Sequence, residues 1–291
     1  MALLASIQAG SIVKTMAGAV LVAAGLTVSG QVAEEYALRE RAYALAGSGQ
    51  CRAAHSAFAE LARSSGDVRD WLAAATCAIE AGDHDRAVTA LQAVLAERHV
   101  LTTDEQIFAL RSYGYRAEAA GDGAGARQAW RDAAALSGAA QDRLMAARAA
   151  RLAGDRATAH AELAALSPGA LPAQFAAIWH DEQASHARLA GRNREALAHI
   201  EQAITVEDTP WRRYEQGVVM TALGLHRSAA EALMLAHEGA PDNASILVSL
   251  AYASRASGEA ASAYDYYRQA VRLDPGLSRL SADFPPENSR S

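Results

Sequence analysis

The chain has 291 residues, of which 51% are hydrophobic and only 6% aromatic, and its formal net charge is -6. The apolar content excludes an intrinsically disordered chain, and the acidic balance is unlike that of a general nucleic-acid binder. Two cysteines, Cys51 and Cys77, are too few for a disulfide-rich scaffold or a structural zinc site.

The first thirty residues have the order of a secretory signal. Lys14 is the only charged residue before Glu34, an apolar stretch follows from 16 to 28, and Ser29 and Gly30 are small. The stretch is shorter than the roughly 20 residues of a membrane-spanning helix. Residues 1–30 are therefore predicted to be a signal peptide or an uncleaved N-terminal anchor, which makes the protein periplasmic or associated with the cell envelope. A start at Met16, with residence in the cytoplasm, is the alternative.

From residue 49 onward the sequence repeats with a period near 34 residues. Each copy has a Gly, an Ala five residues later and a bulky side chain nine residues after the Gly. The seven copies are Gly49, Ala54, Phe58; Gly82, Ala87, Leu91; Gly121, Ala126, Trp130; Gly154, Ala159, Leu163; Gly191, Ala196, Ile200; Gly224, Ala229, Leu233; and Gly258, Ala263, Tyr267. Successive glycines lie 33, 39, 33, 37, 33 and 34 residues apart, which predicts insertions around 99–106 and 167–172. In the first insertion, Thr103 and Gln106 fit a capping box.

The spacing around each Gly predicts two antiparallel helices. Apolar and small residues recur at three and four positions on both sides, and the Gly suits a tight turn between helices. The following Ala is expected where the two helices approach most closely. One helix pair cannot bury its own apolar face, but a stack of pairs can. We therefore predict an all-α fold, an α-solenoid of about seven helix-turn-helix repeats over residues 31–275. Residues 276–291 are predicted to be a C-terminal cap or tail. Either this segment folds back on the last repeat, or a partner or second copy covers that repeat.

The pattern resembles the tetratricopeptide repeat (TPR) family, most closely in the last copy. The matching residues there are Leu247, Leu250, Ala251, Gly258, Ala263, Tyr267, Ala270 and Pro275. The resemblance implies a right-handed superhelix, a groove lined by the first helix of each pair, and a non-enzymatic scaffold for protein-protein interactions in a cell-envelope assembly. The last repeats are also similar to periplasmic segments of exopolysaccharide-export and phage-adsorption proteins. That similarity implies an alternative function, a component of exopolysaccharide export that binds an acidic glycan.

Transferring the family's groove positions to this chain gives a candidate site rich in arginine and aromatic residues. Its members are Tyr36, Arg39, Tyr43, Arg69, Phe108, Arg111, Tyr115, Arg148, Arg151, Arg188, Trp211, Tyr214, Tyr252 and Arg255. Seven arginines against Glu80, Glu118 and Asp181 predict a charge of +4 on this face. Arg pairs with anions and aromatic rings stack on ligands, so a protein or peptide with acidic segments is the first predicted partner and an acidic polysaccharide the second. The alternative is an ordinary solvated face with partly buried aromatic residues. Membrane contact is expected only through the N-terminal segment or a partner.

The sequence gives no support for an enzyme, a cofactor, a metal or a nucleic-acid ligand. Gly121, Gly123 and Gly125 coincide with a repeat turn and lack the preceding strand of a nucleotide-binding loop. The densest polar cluster contains His180 and His186, whose spacing differs from the four residues between the ligands of a zinc helix. This cluster is interpreted as solvated helix surface.

The two cysteines are predicted to lie at similar heights on neighbouring helices. Cys51 begins the second helix of the first repeat, and Cys77 is late in the next helix, beyond a turn near residues 64–67. A disulfide between them is one hypothesis for an exported protein, and two small buried thiols are the other.

Overall fold

The computed structural model describes residues 30–285, and this part of the chain is built from α-helices with short 3-10 segments. The described residues fall into two compact units, 30–137 and 138–285. The predicted export segment, residues 1–30, lies outside the described residues except for Gly30.

Unit 1 contains three helix pairs, in which each helix packs against the next along the chain. They are α1 (Gly30–Gly47) with α2 (Cys51–Ser65), α3 (Val68–Glu80) with α4 (His84–Ala96), and α5 (Thr103–Ala119) with α6 (Gly123–Ser137). A 3-10 segment, Arg98–Val100, lies between α4 and α5.

Unit 2 contains four helix pairs. They are α7 (Ala140–Leu152) with α8 (Arg156–Ala164), α9 (Ala173–Leu189) with α10 (Asn193–Val206), α11 (Pro210–Ala222) with α12 (His226–Gly239), and α13 (Ala244–Ala256) with α14 (Ala260–Leu273). A 3-10 segment, Pro168–Ala170, precedes α9, and another, Pro275–Asp283, follows α14. The seven pairs confirm the predicted all-α repeat fold.

The repeat glycines form the turns that the sequence predicts. All seven have a left-handed backbone, with φ between +68° and +93°. At Gly224 this conformation lets the Leu225 amide donate to the Met220 carbonyl at 2.9 Å, while the Gly224 amide donates to the Thr221 carbonyl at 3.0 Å. Carbonyl groups at the end of α11 are thereby satisfied, and the chain reverses into α12.

The alanines and bulky residues of the repeat are all buried. Two further glycines, Gly114 and Gly217, lie in first helices at positions where a second helix comes very close. A Cβ on Gly114 would lie 2.6 Å from the Trp130 ring, and one on Gly217 would lie 3.0 Å from the Ala229 carbonyl oxygen. Small residues at these positions therefore permit the packing of each pair.

The first insertion is capped one residue earlier than the sequence suggested. The capping box consists of Thr102 and Glu105, and Thr103 is already the first residue of α5. The Glu105 carboxylate accepts from the Thr102 amide at 2.8 Å, and the Thr102 hydroxyl accepts from the Glu105 amide at 3.3 Å. Thr102 takes this role because its extended backbone aims the hydroxyl at the first turn of the helix.

After α14 the chain folds back onto the last helix pair, and Phe284 is buried there. This is the first of the two arrangements considered for the tail. Within residues 30–285, no helix combines the length and apolar character needed to cross a membrane.

Candidate partner-binding face

All fourteen predicted groove residues lie on the first helices of their pairs. We call the members on α1, α3 and α5 the first-helix set of unit 1, and those on α7, α9, α11 and α13 the first-helix set of unit 2. The seven residues of unit 1 are Tyr36, Arg39, Tyr43, Arg69, Phe108, Arg111 and Tyr115, and the seven of unit 2 are Arg148, Arg151, Arg188, Trp211, Tyr214, Tyr252 and Arg255.

In unit 1, two of these arginines bind carboxylates on the next first helix. Arg39 Nη2 lies 2.7 Å from Asp70 Oδ2, and Arg69 Nε lies 3.3 Å from Glu105 Oε1. The Ser65 hydroxyl also donates to Asp70, at 3.0 Å. Burial raises the pKa of Asp70, and Arg39 and Ser65 oppose that shift.

In unit 2 the same pattern joins α7 to α9 and α9 to α11. Arg151 donates to Glu182 through Nε at 2.5 Å and Nη2 at 2.9 Å, and Arg188 Nε lies 3.6 Å from Glu215 Oε2. Burial raises the pKa of Glu215, while Arg188 and Arg151 lower it.

One pair in unit 2 runs in the opposite direction. Arg212, which was not among the predicted groove residues, donates from α11 to Asp181 on α9 at 2.9–3.1 Å and also binds Glu207 at 3.0 Å. Burial raises the pKa of Asp181, and its hydrogen bonds to Arg212 oppose this. Arg212 is the buried member of this pair.

The carboxylates correct the predicted charge of +4. That count leaves out Asp70, Glu105, Glu182 and Glu215, which bring the acidic residues to seven, and Arg212, which brings the arginines to eight, so the sum falls to +1. The sequence could not assign these acids to the face because each binds an arginine from a different repeat. The first-helix sets carry ion pairs rather than an unopposed positive charge.

In all of these pairs except those of Arg212, the carboxylate is more buried than the arginine. The Arg39 side chain is 42% exposed above an Asp70 side chain that is 5% exposed, and the values for Arg151 and Glu182 are 25% and 3%. A guanidinium has five N–H donors, more than one carboxylate uses. The buried acids therefore fix the orientation of arginines that keep part of their surface in solvent.

The predicted aromatic residues fall into two groups. Tyr43 packs edge-on against Phe58 with ring centroids 5.1 Å apart, Tyr115 does the same with Trp130 at 4.7 Å, and Phe108 packs against the core of unit 1. All three residues keep part of their surface in solvent, and the prediction that they contact a ligand stays a prediction. The Tyr43 and Tyr115 rings turn inward because the second helices present Phe58 and Trp130 to them.

Two aromatic residues remain largely in solvent, Tyr36 on α1 and Trp211 on α11. The Trp211 side chain is 61% exposed and lies beside Tyr214, with ring centroids 5.2 Å apart and planes tilted by 34°. Tyr214 also packs against the core of unit 2, which gives the pair a fixed base. An exposed Trp on a rigid base is typical of interaction surfaces.

The polar cluster of α9 is not simple solvated surface. His180 Nδ1 lies 3.1 Å from His199 Nδ1 on α10, and the His186 ring stacks on His160 of α8 with centroids 4.2 Å apart. Burial lowers the pKa of His180, His186 and His199. The sequence did not predict these contacts, because His199 lies 19 residues from His180 and His160 lies 26 residues from His186. Across the described residues, no group of three or more His, Cys, Asp or Glu side chains is placed to hold a metal.

Both cysteines are free thiols in the structure. Cys51 is the first residue of α2, and its thiol lies 3.4 Å from Glu80 Oε2. Burial, with smaller contributions from Cys51 and Glu80, raises the pKa of Cys77 to about 12. The disulfide stays a prediction for protein from an oxidising compartment.

Solved structures with similar folds include several repeat proteins. A tetratricopeptide repeat protein from Parabacteroides merdae has a TM-score of 0.63 at 12% identity, over 84% of this chain and 96% of that one. The APC/C hetero-tetramer Cut9–Hcn1 has a TM-score of 0.65 at 15% identity, over 83% of this chain and 47% of that one. Pseudomonas aeruginosa pilF has a TM-score of 0.57 at 15% identity, over 74% and 97%.

This chain therefore spans about half the length of the Cut9–Hcn1 chain that it matches. No family model matches the sequence, and no curated protein matches it. At these identities the likeness concerns the fold, and the fold is that of tetratricopeptide repeats.

Proposed function

We propose that this protein is a non-enzymatic scaffold that holds a partner protein on its first helices. The observation that carries the proposal is the exposed Trp211 ring beside the partly buried Tyr214. Tyr214 is followed directly by Glu215, which forms an ion pair with Arg188. Large aromatic and arginine side chains contribute most of the binding energy in protein interfaces. The Cut9–Hcn1 structure is a hetero-tetramer, so a chain with a similar fold occurs in an assembly with other chains.

The partner is proposed to contact the arginines through acidic segments. Because the Arg188 side chain is 41% exposed and Glu215 already orients it, an additional carboxylate or carbonyl of the partner can bind it with little ordering of the side chain. The internal carboxylates lower the attraction for a polyanion, which favours a ligand that also uses Trp211. An acidic glycan in exopolysaccharide export is the second candidate, since the Trp211 and Tyr214 rings offer a stacking surface for sugars.

The proposed place of action is the periplasm or cell envelope. The support is the order of Lys14, the apolar residues 16–28, and the small residues Ser29 and Gly30. N-terminal sequencing of the mature protein tests it. A chain that starts near residue 31 supports export with cleavage, and an intact Met1 contradicts cleavage.

Affinity purification from the native cells tests the scaffold function. We expect Trp211→Ala to reduce recovery of the partner by about tenfold or more. Leu235→Ala is the matched control, because Leu235 is also an exposed large apolar residue but lies on the second helix α12. Equal recovery with both variants would contradict the proposed site. Analysis of the bound material separates the two candidates, since protein supports the scaffold and acidic polysaccharide supports the glycan carrier.

A further inference from the structure

The segment after α14 packs on the last helix pair through the buried ring of Phe284 and the partly buried side chain of Leu280. Phe284 is 3% exposed, its ring stacks on Tyr267 with centroids 4.9 Å apart, and it meets Tyr252 at 4.8 Å. Phe284 is the only buried residue between 275 and 285, the end of the described chain. The segment thus contributes one fully buried ring to the core of the last helix pair, while its other residues lie at or near the surface.

The Tyr267 hydroxyl donates to the Ser278 carbonyl oxygen at 3.3 Å, and the residue before Phe284 makes the other polar contacts with the last helix pair. The Tyr252 hydroxyl donates to Asp283 Oδ2 at 2.7 Å, and Arg255 Nη1 donates to the Asp283 carbonyl oxygen. Arg255 also lies 3.8 Å from Asp283 Oδ1, and its guanidinium carbon lies 5.8 Å from the centre of the Phe284 ring. Asp283 therefore accepts hydrogen bonds from Tyr252 and Arg255, and Phe284 covers the ring of Tyr267.

Asp283 accepts a hydrogen bond from the last first helix, as acids of a following first helix do elsewhere in the chain. It lies 31 residues after Tyr252, and the same separation joins Arg39 to Asp70 and Arg151 to Glu182. Tyr252 and Arg255 belong to the predicted binding residues of unit 2. The tail thus contacts the last first helix of unit 2 through a carboxylate, the group that joins neighbouring first helices elsewhere.

We propose that Tyr252, Arg255 and Tyr267 form a docking site for a segment in which an aromatic residue follows an acidic one, and that Asp283 and Phe284 are its resident occupant. A partner segment with the same two side chains displaces the tail and gains the same contacts. This deepens the proposed function, on which it rests for the existence of a partner, by naming the ligand chemistry at one end of unit 2.

A short tether explains how the tail holds the site against weak competitors. A linked segment has an effective concentration in the millimolar range, so a free peptide competes only when its concentration or its contacts exceed those of the tail. Loss of the Phe284 ring should weaken the binding of the tail to the last helix pair by about tenfold or more, because this buried ring supplies most of the tail's apolar contact.

The test uses the full chain and a fluorescent peptide that spans residues 275–286. We expect Phe284→Ala protein to bind this peptide at concentrations up to about 1 mM, the range set by the tether, and wild-type protein to bind it at least about tenfold more weakly. Peptides with Asp283→Ala or Phe284→Ala are the matched controls and should not bind. Circular dichroism establishes that the variant is folded.

A second variant keeps every ring in place. Tyr252→Phe removes only the hydroxyl that donates to Asp283, and we expect faster hydrogen exchange in residues 277–284 with the exchange of α13 unchanged. If folded Phe284→Ala protein ignores the peptide, or if Tyr252→Phe leaves the exchange of the tail unchanged, the docking site is refuted. Partner capture that depends on Trp211 would survive that failure, so the two proposals are tested separately.

Discussion

Arg151 on α7 and Glu182 on α9 lie 31 residues apart, and two hydrogen bonds join them. The Glu182 side chain is almost wholly buried, so its charge depends on Arg151 for compensation. The same separation recurs between Arg39 and Asp70. Ion pairs between consecutive first helices thus help to set the alignment of neighbouring repeats.

Replacing Glu182 by Ala should destabilise unit 2 by about 1–3 kcal/mol, below the loss expected for a fully buried pair because Arg151 retains contact with water. Urea denaturation followed by circular dichroism measures the change. Glu201→Ala is the control, since Glu201 is an exposed acid on α10. Equal midpoints for the two variants would contradict a structural role for the pair.

The histidine pairs should make unit 2 less stable in mild acid. Burial lowers the folded-state pKa of His180, His186 and His199 below 6.5, so the unfolded chain takes up protons first as the pH falls. The contribution of the neutral histidines to the free energy of unfolding is therefore fully present above pH 6.5. It is lost as the pH falls from 6.5 through the folded-state pKa values. The Nδ1 atoms of His180 and His199 share their contact, which cannot hold a proton on both nitrogens.

Other charges act on these rings from neighbouring elements. His199 and His160 lower the pKa of their partners His180 and His186, Arg192 also lowers that of His186, and Glu195 on α10 opposes the shifts of His186 and His199. Thermal unfolding between pH 5 and 8 should show a smaller loss of stability in His199→Gln than in wild type. His84→Gln, at an exposed site in unit 1, should keep the wild-type slope, and an unchanged slope in His199→Gln would overturn the explanation.

The helix contact at Gly217 should tolerate no larger residue. A Cβ there would lie 2.5 Å from Leu233 Cγ and 3.0 Å from the Ala229 carbonyl oxygen, so Gly217→Ala is expected to cost about 1–3 kcal/mol through overpacking. At Gly47 nothing lies within 4 Å of the added atom, and Ala should be neutral or stabilising by up to about 1 kcal/mol. Chemical denaturation of both variants measures the contrast, and a loss at Gly47 equal to that at Gly217 would refute it.

The two thiols should react at different rates. Cys77 is buried with a pKa raised to about 12, whereas Cys51 is partly exposed, so alkylation of reduced protein at pH 8 should modify Cys51 first. Mass spectrometry of a time course with iodoacetamide measures the order, and denatured protein serves as the control in which both react. Faster reaction of Cys77 would contradict the packing described for α3.

A thiol count on exported protein tests the disulfide separately, and two free thiols there would reject the bond.

Much of the fold follows from local sequence chemistry. The turn at Gly224 and the close contact at Ala229 depend on residue size and backbone freedom, which a single repeat already reveals. The partners of Arg151 and His180 cannot be predicted from local sequence, because those contacts depend on how one helix is rotated against another. The charge count failed for this reason, and the capping box shifted by one residue because Thr102 and Thr103 are chemically equivalent in sequence.

Site-specific photo-crosslinking in the native cells tests the central claim most directly. A photoreactive phenylalanine derivative at position 211 is compared with the same group at position 235, which is also exposed but lies on a second helix. If the first helices hold the partner, position 211 yields a discrete crosslinked protein and position 235 does not. A crosslinked partner at position 235 with none at position 211 would contradict the claim.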